Sequence, residues 1–464
     1  MVKTYAYGFP RIGKNREYKK IVEMFWKDKI DEDGLITGLD AIGGQREQAY
    51  MENVDAYPSD ETTLYDKMLD TACMVGLYSP NNSKEYYDLC RGKNCLAMTK
   101  WFNTNYHYLV PDFSSWDRPQ FRVQGELTEC NNPYLIGPYT FLKLSKGIPE
   151  DKFEEFALYL AETYREIINR YDTVHIDEPA FVMDDVDVSL VTEMYQIMNL
   201  YKKTAINVFT YYDDVDWLRE LFMLDVNGIG LDFVNGKNNL RDVLSMGKTL
   251  TNDKTLFAGF VDGINVWKTD IKETIDNVDK LSEITDVVVT NAGPLYHLPV
   301  QLDGEKGLPE YLYGSLSFAT EKLYELRDIQ DGNTEGYTKH SGQWNNMVEH
   351  RVADLLDEDF VKSLDVVERR KLQDEILNLP ELPTTTIGSF PQTKEVRVNR
   401  LHRKKCKISL EEYNSKVDDF VKDAIEFQED LGFDVLVHGE SERSDMVEHF
   451  VKDWMECHLL TMVG

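Results

Sequence analysis

Between about residues 130 and 300, short apolar runs alternate with stretches in which hydrophobic residues recur every three or four positions. The runs Tyr134–Tyr139, Thr173–Asp177, Ala205–Thr210, Gly228–Phe233, Thr255–Val261 and Asp286–Thr290 are rich in Val, Ile and Phe and do not alternate cleanly with polar residues. Strands buried on both faces of a parallel sheet read this way. Between the first two runs, Phe153, Phe156, Ala157, Leu160, Tyr164, Ile167 and Ile168 fall on one face at helical spacing. Thr4–Tyr7 and Tyr106–Val110 bring the strands to eight. Eight strands with helical crossovers predict an α/β fold, a (β/α)8 barrel of the TIM type over residues 1–340, in preference to an open doubly wound sheet. The largely helical stretch from Ile21 to about Leu77 reads as an embellishment after the first strand.

The pattern changes after 340. Residues 341–381 are polar and helix-prone from Trp344 to Leu379 and end among Pro380 and Pro383, which predicts a helical connector. From 382 to 464 a second alternation starts, with a strand-like run at its head, a helix over Leu410–Leu431 and a strand-like run at Asp434–Val437. A barrel takes roughly 250 residues, so this segment is read as an incomplete second β/α barrel. Its strand edges would lie open, and Val435, Leu436 and Val437 would lack opposing layers. It is expected to be loosely attached, docked on the first barrel or paired with another chain. A short repeat links the two parts. Tyr7-Gly-Phe-Pro-Arg-Ile-Gly13 resembles Ile387-Gly-Ser-Phe-Pro-Gln392, and each follows a short strand and precedes a basic, helix-forming run. Duplication of one barrel accounts for both copies standing at the same place relative to a domain start.

Charge narrows the partners. The 464 residues carry 82 acidic against 51 basic side chains, a net charge of −31. Such a surface opposes contact with nucleic acid and anionic membranes, so neither is expected as a partner, and a polyanionic ligand would need a local basic pocket. The six cysteines show no C-x-x-C spacing, which predicts free thiols in a reducing compartment. With no apolar run of about 18 residues, the expected location is the cytoplasm.

Four segments carry candidate chemistry. Ile387-Gly388-Ser389 would set backbone N–H groups at a strand end, where they can cradle a carboxylate. Glu440 ends the next strand, so an amine-binding acid would stand beside a carboxylate-binding nest, a pairing that suits an α-amino acid. Arg11 to Lys20 is a basic cluster at a helix start, and Met98–Tyr108 is an aromatic segment around Lys100. In His175-Ile-Asp177-Glu178-Pro179 two acids at a strand end could serve as general acid and base. Adjacent residues on a strand point to opposite faces, however, so Asp177 and Glu178 cannot both face one site.

Leu382-Pro-Thr-Thr-Thr-Ile-Gly-Ser-Phe-Pro-Gln-Thr393 and Asp434-Val-Leu-Val-His-Gly-Glu-Ser-Glu-Arg-Ser-Asp445 closely resemble the cobalamin-independent methionine synthase family at the opening of its catalytic barrel. The resemblance continues in Gly8-Phe-Pro-Arg-Ile-Gly-Lys-Asn-Arg-Glu-Tyr-Lys19, Ile136–Leu142, His175–Pro179 and Val261–Trp267. It implies methyl transfer from 5-methyltetrahydrofolate polyglutamate to homocysteine, giving methionine without cobalamin. It implies that Ile387, Gly388, Ser389 and Glu440 bind homocysteine, and that Arg16, Glu17, Tyr18 and Lys19, with Lys100, bind the folate and its polyglutamate tail. Asn15 replaces a residue that is commonly Arg in the family, and Tyr18 one that is commonly Leu. The family also uses zinc, held by His-x-Cys, a later Glu and a further Cys. No His-x-Cys occurs here, and Cys457-His458 has the wrong spacing. No catalytic or metal-binding residue is therefore assigned in this chain, which alone is expected to be inactive. Three origins stay open: a fragment, a frame-shifted product, or one subunit working with a separate catalytic barrel and otherwise monomeric. The competing functions are a non-catalytic folate-binding paralogue or subunit, and folate storage or sensing.

Overall fold

The computed structural model describes residues 2–93, 95–124, 130–201, 204–251, 253–305, 308–335, 356, 360–443 and 445–451. The chain divides near residue 342 into two compact units.

The first unit is built on a seven-stranded parallel sheet. Its strands are β1 (Lys3–Thr4), β4 (Tyr134–Ile136), β5 (Thr173–Asp177), β6 (Ala205–Phe209), β7 (Gly228–Asp232), β8 (Thr255–Val261) and β9 (Asp286–Asn291), in the order β1-β9-β8-β7-β6-β5-β4. The remaining two, β2 (Met98–Lys100) and β3 (His107–Leu109), pair antiparallel as a separate hairpin. The expected barrel strand Tyr106–Val110 is thus corrected: it is a hairpin arm. The gap between β1 and β4 is spanned instead by residues 56–59, where Ala56 makes a parallel bridge to Tyr5 and Ser59 one to Pro133. Backbone bonds from Ala6 N–H to the Ala56 carbonyl (3.2 Å) and from Ser59 N–H to the Asn132 carbonyl (2.7 Å) join the two edges. Pro58, which has no N–H to donate, keeps this segment from becoming a regular eighth strand. The first three residues of the predicted run Tyr134–Tyr139 form β4; Pro138 then starts a helix, Pro138–Lys143, as proline favours at a first helical position.

Side chains alternate across the sheet. Tyr5, Tyr7, Tyr134, Phe209, Tyr211 and Phe257 fill the interior. Val174, Ile176, Ile206, Val208 and Ile229 point outward onto the helices. The helix Phe153–Ile168 meets them with Phe156, Ala157, Leu160, Tyr164, Ile167 and Ile168, all buried. The embellishment after β1 has a small core of its own, in which Tyr18, Val22 and Phe25 of the helix Glu17–Trp26 pack on Leu35, Leu39 and Tyr87.

The second unit holds the helices Val366–Leu377, Lys394–Lys404, Leu410–Leu431 and Met446–Val451 and one parallel bridge, Thr385 to Val435. Gln428 is wholly buried. Its amide donates to the carbonyls of Ala424 and Val437 (both 2.7 Å) and accepts from Val437 N–H (3.0 Å) and the Thr386 hydroxyl (3.2 Å). It ties the helix Leu410–Leu431 to the two segments bridged at Thr385 and Val435. Val435 and Leu436 stay more than a third exposed.

The two units begin alike. Thr4 N–H and Oγ1 donate to Asp55 Oδ2 (2.8 and 3.2 Å), and Asp55 N–H returns a bond to Thr4 Oγ1 (3.2 Å). Thr384 and Asp434 repeat this clamp at 2.8, 2.7 and 3.2 Å. The residue after each Asp donates its N–H to the clamped Thr carbonyl, at 3.2 Å for Ala56 and 3.0 Å for Val435. The loop similarity in sequence therefore extends to a clamp whose partners lie 51 and 50 positions apart, which supports duplication.

Candidate functional site

The loop leaving β1 turns at Gly8, whose φ of +71° falls in the left-handed region open to glycine. The Gly8 N–H donates to Glu61 Oε1 at 2.5 Å. Glu61, five residues beyond Ala56, is buried; it accepts from the Tyr50 hydroxyl (2.9 Å) and pairs with Arg46 (3.4 Å). Together with the loops that follow β8 and β9, these residues surround a cleft of about 640 Å3. Its position matches where barrels of this class hold ligands.

The structure separates the residues assigned to folate. Tyr18 and Lys100 line the cleft. Arg16 lines a smaller hollow of about 280 Å3 with Lys14 and Lys20, and Ile12 is shared by both. Glu17 folds back on its own loop, accepting from Asn15 N–H (2.8 Å) and the Asn15 amide (3.0 Å). Lys19 is exposed on the helix, and neither hollow includes it. The Tyr18 hydroxyl donates to the Leu64 carbonyl (2.7 Å), so only its ring is presented to the cleft.

Residues given no individual folate role from the sequence fill the rest, among them Arg11 of the Arg11–Lys20 cluster and Tyr106 of the Met98–Tyr108 segment. The Arg11 guanidinium lies 5.0 Å from the Tyr18 ring centre and 5.8 Å from that of Tyr106. Lys67 Nζ stands 5.8 Å from the ring of Tyr134 and donates to the Asp60 carbonyl at 3.1 Å. Tyr296 and His297 close the far side, with the His297 ring 2.7 Å from the Tyr212 hydroxyl. Burial pushes His297 down to about 4, so it is neutral at pH 7. The signal available in the sequence was slight: an Arg after Gly-Phe-Pro and a Lys at the start of a helix, both common.

Beneath the cleft lies a closed polar network. Tyr5 Oη contacts His175 Nδ1 (2.9 Å), His175 Nε2 contacts Asp177 Oδ1 (2.7 Å), and the hydroxyls of Tyr134 and Tyr211 both donate to Asp177 Oδ2, the latter at 2.8 Å. Phe209 stacks on His175 with ring centres 3.9 Å apart. Glu178 points the other way, accepting from Thr140 N–H (2.7 Å), Tyr139 N–H (3.2 Å) and the Tyr195 hydroxyl (3.2 Å) at the start of the helix Pro138–Lys143. The two adjacent acids face opposite sides of the strand, are fully buried, and form no acid–base pair.

Desolvation raises both Glu178 and Asp66 to about 7. A carboxyl group whose folded pKa exceeds its unfolded one stabilises the fold below the unfolded value, near 4, and loses that contribution as pH rises through about 7. The stability difference between the parent chain and Asp66→Asn should therefore shrink from pH 5 to pH 8, by on the order of 1–3 kcal/mol. Urea unfolding at both pH values measures it, and a constant difference would refute the assignment.

In the second unit the two segments bridged at Thr385 and Val435, which form no longer strand among the described residues, bring Gly388 and Glu440 together. A Cβ on Gly388 would lie 3.1 Å from Glu440 Oε1. Glu440 has a φ of +57°, and its Oε2 is paired with Arg443. Phe390 N–H donates to the Gly439 carbonyl (2.9 Å), tying the two loops together. Ile387 and Ser389 flank this point and are exposed. Among the described residues no three His, Cys, Asp or Glu side chains converge to hold a metal ion. Cys457 and His458 lie outside the described residues. No described helix is long and apolar enough to cross a membrane.

Residues 3–286 match the profile of the cobalamin-independent synthase N-terminal domain, and residues 382–459 that of the same synthase's catalytic domain. Curated relatives named 5-methyltetrahydropteroyltriglutamate–homocysteine methyltransferase are 39% identical in Thermotoga maritima, 36% in Bacillus cereus and 35% in Thermodesulfovibrio yellowstonii. Each alignment covers 97% of this chain and 65% of the relative, so the chain spans about two thirds of their length. With both of its domain profiles matched in order along one polypeptide, the chain belongs to the cobalamin-independent synthase family.

Proposed function

We propose that this chain serves methyl transfer from 5-methyltetrahydropteroyltriglutamate to homocysteine, with its first unit holding the folate tail and its second making the first contacts to homocysteine. The observation that carries this reading is Glu440 Oε1 standing over Gly388, at the ends of two bridged parallel segments. An amino acid laid there would present its ammonium group to Glu440 and its carboxylate to the N–H groups around Gly388 and Ser389. In the transfer, the bond from the folate nitrogen to its methyl group breaks as a sulfur–carbon bond forms, so the thiol must lose a proton and the folate nitrogen gain one. The sequence offers no His-x-Cys for the thiol. The 464 residues alone are therefore read as a binding platform without turnover.

The relatives' printed name supports these substrates, and the cleft supports a polyanionic one on a chain of charge −31. A second reading, a folate-binding subunit paired with a separate catalytic barrel, rests on the exposed Val435 and Leu436. Calorimetry on the full chain tests the reading. Glu440→Gln should weaken homocysteine about 10-fold or more, and Lys100→Ala should weaken pteroyltriglutamate to a similar degree, as expected for losing one charge-assisted hydrogen bond. Homocysteine bound equally by parent and Glu440→Gln would remove the second unit from the reaction.

A further inference from the structure

The cleft of the first unit gathers three cations, Arg11, Lys67 and Lys100, on a chain with 82 acidic and 51 basic residues. Among the described residues none of the three forms an ion pair with a carboxylate. Arg11 Nη1 is buried and has no hydrogen-bond partner. A buried donor without a partner is costly, so a carboxylate that reached it would gain a charge-assisted hydrogen bond. The nearby acids are committed elsewhere. Asp66 accepts from the N–H groups of Leu109 (2.9 Å) and Leu69 (3.3 Å), Asp70 accepts from the Tyr86 hydroxyl (2.5 Å), and Glu61 is taken up by Arg46, Tyr50 and Gly8. The guanidinium carbon lies 5.0 Å from the Tyr18 ring centre and 5.8 Å from that of Tyr106, so two aromatic faces flank the cation. Past Ile12, the cleft adjoins the hollow lined by Lys14, Arg16 and Lys20. Cationic groups thus follow one another from Lys100 to Lys20, as an extended ligand with several carboxylates requires.

We infer that Arg11 is the carboxylate-recognising residue of the cleft, with Lys67 supporting it, and that together they bind the oligo-γ-glutamyl tail of the folate. This assignment rests on the folate reading above and goes beyond Arg16–Lys19 and Lys100. A bidentate guanidinium discriminates a planar carboxylate better than an ammonium can. Arg11→Lys should therefore lose part of the affinity and Arg11→Met most of it.

The full chain is titrated with pteroyltriglutamate by calorimetry, with a γ-linked triglutamate peptide as competitor. Arg11→Met is expected to weaken pteroyltriglutamate about 10- to 100-fold, Arg11→Lys and Lys67→Met severalfold. The peptide should compete in the parent chain and fail to compete in Arg11→Met at the same concentration. If Arg11→Met does not fold, Arg11→Lys, which keeps the cation between the two rings, carries the test with its thermal midpoint as control. Parent-like binding by a folded Arg11 variant would overturn the inference while leaving the folate reading intact. Failure of the peptide to compete in the parent chain would also overturn the tail assignment. A parent chain that binds neither probe would overturn both.

Discussion

Gly8→Ala should destabilise the first unit by about 2–5 kcal/mol, combining the roughly 1–2 kcal/mol of a left-handed alanine with the roughly 1–3 kcal/mol of overpacking. The φ of Gly8 is +71°, and an added Cβ would lie 2.5 Å from Pro294 Cβ and 2.8 Å from Pro294 Cα. The second atom is backbone, so a rotamer change cannot relieve the contact. The shift would also pull the Gly8 N–H from Glu61 and distort the loop that carries Arg11, so pteroyltriglutamate binding should fall with stability. Gly388→Ala provides the contrast. Its Cβ would meet only the tip of Glu440 at 3.1 Å, so homocysteine binding should suffer while the unfolding midpoint hardly moves. Urea denaturation of both variants decides it; a Gly8→Ala protein within about 1 kcal/mol of the parent would show that the loop is not fixed as described.

Asp177→Ala should cost about 3–5 kcal/mol, because it strands three buried partners at once: the His175 ring and the hydroxyls of Tyr134 and Tyr211. His175 and Tyr211 are completely buried and cannot turn to water, and Tyr134 is nearly so. Asp177→Asn keeps the volume and one acceptor oxygen for the tyrosines but turns an amide toward His175, so an intermediate loss is expected. The network also sets the cleft floor through Tyr134, which lines it. Thermal unfolding of the two variants should rank them Asn above Ala, and equal midpoints for Ala and parent would mean the network carries no stability.

The helix-swathed parallel sheet was legible because burial on both faces writes strands as uninterrupted apolar runs. Thr173–Asp177 and Thr255–Val261 form strands with the predicted limits, and Ala205–Phe209, Gly228–Asp232 and Asp286–Asn291 differ from prediction by one residue. The segment joining the sheet's edges was illegible for the opposite reason. Residues 54–60, Val-Asp-Ala-Tyr-Pro-Ser-Asp, carry a proline and two acids and look like a loop, and only their fit between β1 and β4 gives them a place in the sheet. Tyr106–Val110 has strand composition, yet the pairing of β2 with β3 holds it in a hairpin.

The sequence by itself determined the family, the parallel sheet, the acid–glycine pair of the second unit and the opposed directions of Asp177 and Glu178, since each depends on residues close together or on a fixed periodicity. Only the tertiary structure decided which cations meet in the cleft. Arg11, Lys67 and Lys100 come from a loop, a helix start and a hairpin, and the wall opposite comes from Tyr296 and His297 nearly the whole unit away. Neither propensity nor spacing links such positions. They meet because the sheet curls back on itself and brings β1 beside β9, and no local pattern announces that Arg11 Nη1 ends buried there without a partner.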